Sequence, residues 1–197
     1  MNISTDTGPS SHDVAQEVLA ALRSSAGATS LDALFLRLFR ESPASEMELL
    51  LVIARTCLES GYKVAARNWL RQIEAGAVKG SVDNLLSGIE LAAQARQAPC
   101  VLFLCSELSS RHVSVVYDGV RAAYAIVELA LIMRIPRARN GAWATHVHLL
   151  YAARSLLEHM LTFPASNEQT EECLALLGSV HRLLAGAQSS RGFRRQF

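Results

Sequence analysis

Apolar residues recur every three to four positions along most of this chain, which is the spacing of one face of an α-helix. The pattern breaks at short clusters rich in Ser, Gly and Pro, and these clusters predict short connecting loops. The segments between them predict about eight or nine helices. We therefore expect an all-α protein, a helix bundle built from stacked antiparallel helical hairpins.

The breaks also set the approximate ends of the predicted helices. Pro43 ends a helix that begins at Ser30, because a proline disfavours the helical conformation of the residue before it. Pro99 is predicted at the first position of another helix, where its missing N–H costs nothing. The other predicted ranges are 11–24, 46–60, 82–97, 113–134, 142–161 and a last helix that ends near 188.

The strongest pattern lies in residues 46–77, where two apolar helical stripes are separated by Ser60 and Gly61. Ser45 and Glu48 have the spacing of a capping box, which starts the first of these helices. A glycine adopts the left-handed conformation at a helix C-terminus at little cost, so Gly61 predicts a sharp turn. Two helices joined by so short a link must lie antiparallel, as a helical hairpin. The apolar face predicted for the second helix carries Val64, Ala65, Trp69, Leu70 and Ile73.

Residues 112–119 contain several β-branched side chains and are compatible with a strand or with a helix. No second strand is visible in the sequence to pair with them, so we predict a helix. The loop that follows is predicted to turn at Asn140 and Gly141. Ser166 and Gln169 form a second predicted capping box, at the start of the last helix.

Length and composition define the domain organisation that we expect. The 197 residues are half apolar but only 6% aromatic, so the core is predicted to consist mainly of Leu, Ala, Val and Ile. Residues 1–10 are predicted to be disordered, residues 11–188 to form a single all-α domain, and residues 189–197 to be a basic flexible tail.

Four cysteines, Cys57, Cys100, Cys105 and Cys173, each lie within an apolar helical segment. That placement is typical of reduced buried thiols and not of a disulfide framework, which favours a cytoplasmic protein. The first residues have neither the basic nor the apolar region of a secretory signal. The longest apolar run contains Glu128, so no membrane-spanning segment is predicted.

Small and large apolar residues recur in two related sets between residue 46 and about residue 110. The first set is Ile53, Ala54, Cys57, Gly61, Ala66 and Leu70. About 34 residues later, the matching small or apolar residues are Gly88, Leu91, Cys100 and Leu104. This pattern resembles the tetratricopeptide repeat, a family in which two helices pair within one repeat. The chain departs from the motif at Leu50, Val78 and Ser87, and Arg134 interrupts a third copy.

The resemblance implies a protein that binds other proteins. Stacked helical hairpins usually leave a concave groove, and such grooves bind peptide segments or amphipathic helices. Small tetratricopeptide-like chaperones and adaptors of bacterial specialised secretion, of the type III kind, are similar in size and helix content. We expect a cytoplasmic adaptor or chaperone whose partner is another protein, and a homo-oligomer is compatible with this expectation. Its groove or core candidates include Trp69, Leu70 and Tyr124.

Arginines dominate the charge of the last third of the chain. Residues 129–197 contain eight arginines and four acidic residues, whereas the whole chain has a net charge of +1. Docking onto an acidic protein and binding to RNA phosphates are both compatible with such clusters. The RNA alternative, a viral accessory or nucleoprotein-like all-α protein, is weaker because few aromatic residues lie nearby to stack bases. The candidate arginines are Arg134, Arg137, Arg139, Arg191, Arg194 and Arg195.

The sequence contains no constellation that is typical of catalysis or metal binding. His146 and His148 point about 200° apart on a helix, so they cannot share a metal ion. Cys100 and Cys105 point about 140° apart, which is equally unsuitable for one zinc ion. We therefore predict a non-enzymatic protein that uses no metal and no other cofactor.

Overall fold

The structure is a computed structural model that describes residues 11–24, 27–41, 46–75, 80–109, 111, 116–133 and 140–194. The regular structure in these ranges is entirely α-helical, which confirms the predicted all-α class. The predictions for residues 1–10 and for the cap at Ser45 fall outside them. The helices are α1 (Ser11–Arg23), α2 (Gly27–Glu41), α3 (Glu46–Glu59), α4 (Lys63–Ala75), α5 (Val82–Gln94), α6 (Ala98–Ser109), α7 (Val116–Met133), α8 (Asn140–Met160) and α9 (Asn167–Arg194).

The chain divides into two compact units, residues 1–80 and 81–197. In the first unit α1 packs against α2 and α3, and α3 packs against α4. The unit is therefore two helical hairpins, α1–α2 and α3–α4, whose first helices lie side by side. Its aliphatic core includes the fully buried Val18, Ile53 and Leu70. The expectation that residues 11–188 form a single domain stays a prediction.

The second unit is a larger stack of the same kind. Its helices α5, α7 and α9 pack side by side in one row, while α6 and α8 pack against each other in a second row. The two rows are joined because α5 packs on α6, α7 on α8, and α8 on α9. Gly119 leaves room for the side chain of the buried Met160 between α7 and α8, since a Cβ atom at 119 would overlap the Met160 sulfur and force that side chain to move.

The turn between α3 and α4 is a Schellman motif, in which two nested hydrogen bonds close the end of a helix. The Tyr62 N–H donates to the Cys57 carbonyl at 2.8 Å, and the Gly61 N–H donates to the Leu58 carbonyl at 3.0 Å. Gly61 has a φ of 83°, the left-handed conformation that a residue without Cβ adopts readily. The predicted fold-back at Gly61 is therefore confirmed, and α4 packs on α3.

Two helices begin earlier than the sequence predicts. α2 begins at Gly27 and not at Ser30, and α8 begins at Asn140 and not at Ala142. Asn140 and Gly141 therefore belong to a helix and not to the predicted turn. Asparagine is favoured both in turns and at helix starts, so the residue type alone does not decide between them.

Two predictions for the later part of the chain concern the end of the last helix and the conformation of residues 112–119. α9 continues to Arg194, past the predicted helix end at 188 and into the segment predicted to be a flexible tail. No proline interrupts that stretch, and extending an existing helix costs far less than starting one. Of the ambiguous stretch, residues 116–119 are helical, and residues 112–115 lie outside the described ranges.

Two predicted helix-start signals can be compared with the structure. The Gln169 N–H donates to Ser166 Oγ at 3.2 Å, and the Ser166 N–H donates to Gln169 Oε1 at 3.3 Å. This reciprocal pair confirms the second capping box. Pro99 takes the second position of α6 and not the first, because α6 begins at Ala98. A proline is still tolerated there, since the N–H groups of the first turn have no partner within the helix.

Within the described ranges, no helix combines the length and the apolar character that crossing a bilayer requires.

Candidate functional site

In the first unit, the second helices of the two hairpins do not pack along their lengths. α2 and α4 meet where the Phe35 and Trp69 rings approach, with centroids 5.4 Å apart. Phe39 stacks on Phe35 at 5.9 Å and continues the aromatic row along α2. Towards the Gly61 turn the two helices are separated by an open groove.

This space, which we call the α2–α4 groove, has a volume of about 710 Å³. One face of α4 forms its longest wall, and the N-terminal half of α2 and the end of α1 form the other. The apolar side chains that line it are Leu22, Leu31, Tyr62, Val64, Ala65 and Trp69.

The helical period of α4 explains why one of its faces stays open. Leu70 and Ile73 are fully buried in the core of the unit. Ala65 and Asn68 lie on a neighbouring face of the helix and line the groove. Trp69 lies between these two faces: its side chain is only 4% exposed, and it forms part of the groove floor.

Two apolar side chains remain largely exposed at the open end of the groove. Val64 is 71% exposed and Tyr62 is 43% exposed. The sequence places Val64 on the buried face of α4, and the structure corrects this assignment. Val64 lies about 200° around the helix from the buried Ala66, so it cannot share that face.

Charged side chains of opposite sign flank the groove. Asp32 lies on the α2 wall, whereas Lys63 lies on the α4 wall. The exposed guanidinium of Arg71 donates to Asn68 Oδ1 at 3.5 Å, which places it beside a residue that lines the groove. None of the salt bridges among the described residues involves these three charged side chains. All three side chains are exposed, so their charges are accessible to a partner.

The three apolar residues that the sequence predicts as partner contacts lie in three different environments in the structure. Trp69 lines the α2–α4 groove, as predicted for a groove residue. Leu70 has no exposed surface, so it contributes to the core and cannot contact a partner at the surface of this fold. Tyr124 belongs to the second unit, where it is 43% exposed on α7.

The arginine clusters are largely outside the described part of the chain. Arg191 and Arg194 lie on the last turns of α9. A charged contact surface built from the six arginines therefore stays a prediction. The four that fall outside the described ranges are Arg134, Arg137, Arg139 and Arg195.

Several groove residues are not singled out by the sequence. Leu22 and Leu31 follow the helical period of α1 and α2, so they look like ordinary core residues. Nothing in their local pattern indicates that they border an open groove. Tyr62 is the one groove residue that the sequence could have indicated, because a large aromatic residue directly after a turn glycine lies outside the buried stripe.

A second, smaller cavity of about 310 Å³ lies between α6 and α8 in the second unit. Its lining includes Cys105 and His159. The His159 Nε2 hydrogen-bonds with the Arg111 carbonyl at 3.0 Å. Burial raises the pKa of the Cys105 thiol to about 12, so this group stays protonated near neutral pH. A protonated thiol is a poor nucleophile, and Cys105 is therefore not activated for catalysis.

His146 and His148 lie in different environments, as their angular separation predicts. His146 is buried, and its Nδ1 lies 2.6 Å from the Ala130 carbonyl oxygen. His148 is exposed on the same helix. In the part of the chain that the structure describes, no three His, Cys, Asp or Glu side chains gather in a way that could hold a metal ion.

No protein-family model, curated protein or solved structure matches this chain. The resemblance to tetratricopeptide repeats therefore stays a prediction, and the function has to be argued from the site itself. Among the described residues, the α2–α4 groove combines an open volume of about 710 Å³ with an aromatic floor and accessible charges.

Proposed function

We propose that the protein binds a segment of another protein in the α2–α4 groove and acts as a non-enzymatic adaptor or chaperone. The observation that carries the proposal is the open groove of about 710 Å³ with Trp69 in its floor and the exposed Tyr62 and Val64 at its mouth. Covering such side chains removes apolar area from water, which favours association. Trp and Tyr are also the residue types that most often dominate the energy of protein interfaces.

The chemistry of the lining supports recognition and not catalysis. Its polar side chains are Asp32, Lys63, Asn68 and Gln72. A few amides and charges placed in a mainly apolar cleft orient a ligand through hydrogen bonds. Nucleophilic catalysis needs a nucleophile within hydrogen-bond reach of a base. The lining contains no Ser, Thr, Cys or His, and Asp32 and Lys63 lie on opposite walls and form none of the salt bridges among the described residues.

The length of the groove supports a helical or extended peptide as ligand. It follows α4 from Lys63 to Gln72, which corresponds to about 14 Å at 1.5 Å per residue. Two to three turns of an amphipathic helix have the same length, and a helix that lies in an apolar groove is a common mode of peptide recognition.

The narrower form of the proposal is a role in bacterial specialised secretion, of the type III kind, in the cytoplasm. It rests on the likeness in size and helix content to small tetratricopeptide-like chaperones and adaptors, which is an argument from fold alone.

The test fills the groove and leaves the rest of the fold unchanged. Ala65 lines the open face of α4, so an Ala65→Trp variant places a large side chain in the groove without entering the core. Ala175→Trp makes the same change at an exposed position of α9 and is the matched control. Tagged full-length wild type and both variants are used to capture proteins from extracts of the source cells in about 0.5 M salt, where surface charge effects are screened.

We expect wild type and Ala175→Trp to capture the same protein, and Ala65→Trp to lose it while its circular dichroism spectrum stays unchanged. Equal capture by Ala65→Trp overturns the proposal. Retention on RNA or heparin that disappears with salt, and that an Arg134→Ala/Arg137→Ala/Arg139→Ala variant abolishes, identifies the RNA alternative instead.

A further inference from the structure

We infer that the occupant of the α2–α4 groove is an amphipathic helix with carboxylates along the edge that faces α4. This inference rests on the function proposed above and names the chemistry of the partner. It follows from the distribution of charge on α4 and at the two walls of the groove.

α4 carries more basic than acidic side chains. Its basic residues are Lys63, Arg67 and Arg71, of which Lys63 lines the groove and Arg71 lies beside it. Glu74, in the last turn, is the only acidic residue of α4. A partner that lies beside α4 therefore meets a positive edge, and negative side chains on the partner complement it.

Two of these charges stand at the groove itself. Lys63 lines it at one end, and Arg71 is hydrogen-bonded to the groove-lining Asn68 towards the other. Eight residues separate the two, which is about 12 Å along the helix axis. Carboxylates about two helical turns apart on the partner match this spacing.

The charge on the opposite wall of the groove favours one orientation of the partner. Asp32 lies on the α2 side, so a neutral or basic residue of the partner is favoured there. Between the two walls the floor is apolar, with Leu31 and Trp69 almost completely buried. An occupant must therefore have an apolar face between an acidic edge and an edge that is not acidic. An amphipathic helix has this pattern, whereas a phosphate backbone leaves the apolar floor uncovered and meets the like charge of Asp32.

The expected contribution of the charges is modest. Ion pairs between exposed side chains are weak and are screened by salt, so the apolar floor supplies most of the affinity. The charges select between partners, which means that their effect is visible as a preference between peptides with the same apolar face.

The test uses two labelled synthetic peptides of about 18 residues, long enough to be helical. They share one leucine-rich apolar face and carry either Glu or Lys at edge positions two turns apart. Binding to the full-length protein is measured by fluorescence anisotropy at low salt. We expect the Glu peptide to bind about five- to tenfold more tightly than the Lys peptide, and the difference to shrink as salt is added.

The charge-reversal variant Lys63→Glu/Arg71→Glu should invert this preference. A Glu at position 63 is compatible with the fold, because a negative charge at the first position of α4 suits the helix dipole. Arg55→Glu/Arg182→Glu makes the same change in net charge at exposed positions that do not line the groove, and this matched control should leave the preference unchanged.

Equal binding of the two peptides, tighter binding of the Lys peptide, no binding of either, or a preference that survives the charge reversal overturns the inference. If Ala65→Trp then still loses the natural protein partner, the proposed function stands and only the acidic helix is wrong. If Ala65→Trp keeps that partner, the proposed function fails as well.

Discussion

Arg96 takes the same position at the end of α5 that Gly61 takes at the end of α3. Both residues are in the left-handed conformation, with φ values of 59° and 83°. The Arg96 N–H donates to the Ala93 carbonyl at 3.0 Å and the Gln97 N–H donates to the Ala92 carbonyl at 2.8 Å, which repeats the Schellman motif at Gly61. One hairpin turn is therefore made by a residue that suits the left-handed region, and the other by a residue that does not.

Replacing Arg96 with glycine should stabilise the protein. Glycine removes the unfavourable contact between Cβ and backbone in the left-handed region, and this gain exceeds the greater freedom of glycine in the unfolded chain. We expect a rise of about 0.5 to 1 kcal/mol in the free energy of unfolding, measured by urea denaturation followed by circular dichroism. Arg96→Ala keeps the Cβ atom and serves as control, with little change expected. A fall in stability for Arg96→Gly would show that the Arg96 side chain contributes more than its backbone strain costs.

The converse change, Gly61→Ala, should destabilise the α3–α4 hairpin. An added Cβ meets no atom within 4 Å, so the cost comes from the backbone conformation alone. We expect a loss of about 1 kcal/mol in the free energy of unfolding, in the same urea experiment. No loss would mean that residue 61 leaves the left-handed region once it carries a side chain.

Gly186→Ala is the same chemical change in a helical environment and should have the opposite sign. Gly186 lies within α9, and a Cβ atom added there meets nothing within 4 Å. Alanine favours the helix over glycine by about 0.5 to 1 kcal/mol, so the free energy of unfolding should rise by that amount. Thermal unfolding of the two glycine variants side by side checks both signs, and a stabilised Gly61→Ala together with a destabilised Gly186→Ala would contradict the assigned backbone conformations.

His146 should be far more important for stability than His148. Replacing the buried His146 with alanine leaves a cavity and removes the hydrogen bond to the Ala130 carbonyl. We expect a loss of about 2 to 4 kcal/mol in the free energy of unfolding. His148→Ala, at an exposed position two residues later, should change it by no more than about 0.5 kcal/mol. Similar effects for the two variants would contradict the observed burial.

The buried thiol of Cys57 should make stability fall at alkaline pH. Burial raises the pKa of this thiol from about 9 to about 11 in the folded protein. Above pH 9 the unfolded chain releases the proton while the folded chain keeps it, so the unfolded state gains relative stability. The ionisation of Cys57 therefore leaves the free energy of unfolding unchanged below pH 9. Between pH 9 and about 11 it lowers the free energy of unfolding by up to about 1.4 kcal/mol per pH unit.

The Cys57→Ala variant isolates this effect from other groups that titrate in the same range. Its free energy of unfolding, measured by urea denaturation at pH 8, 9, 10 and 11, should fall less steeply than that of wild type. Parallel curves would show that Cys57 ionises alike in the folded and unfolded states. Labelling of Cys57 with a thiol reagent at pH 8, followed on the peptide that contains it, should also be slow in the folded wild type and fast in urea, because Cys57 has no exposed surface.

The sequence by itself determined the helices and the start and end signals of several of them. The apolar period of each segment, the glycine at 61 and the reciprocal Ser166–Gln169 cap are local features, and local chemistry is enough to specify them. At Arg96 the local sequence did not predict the end of α5, and the predicted helix continued to residue 97. The turn there is made by an arginine in the left-handed region, a conformation for which arginine gives no sequence signal.

Only the tertiary structure decided which apolar residues are core and which line a groove. Trp69 and Leu70 are neighbours on one apolar stripe, yet Leu70 is enclosed while Trp69 borders open space. The helical period of α4 predicts which side of the helix faces the core, but it does not predict how closely α2 of the preceding hairpin approaches. That distance is set by packing between residues far apart in the chain, so the α2–α4 groove exists only at the tertiary level.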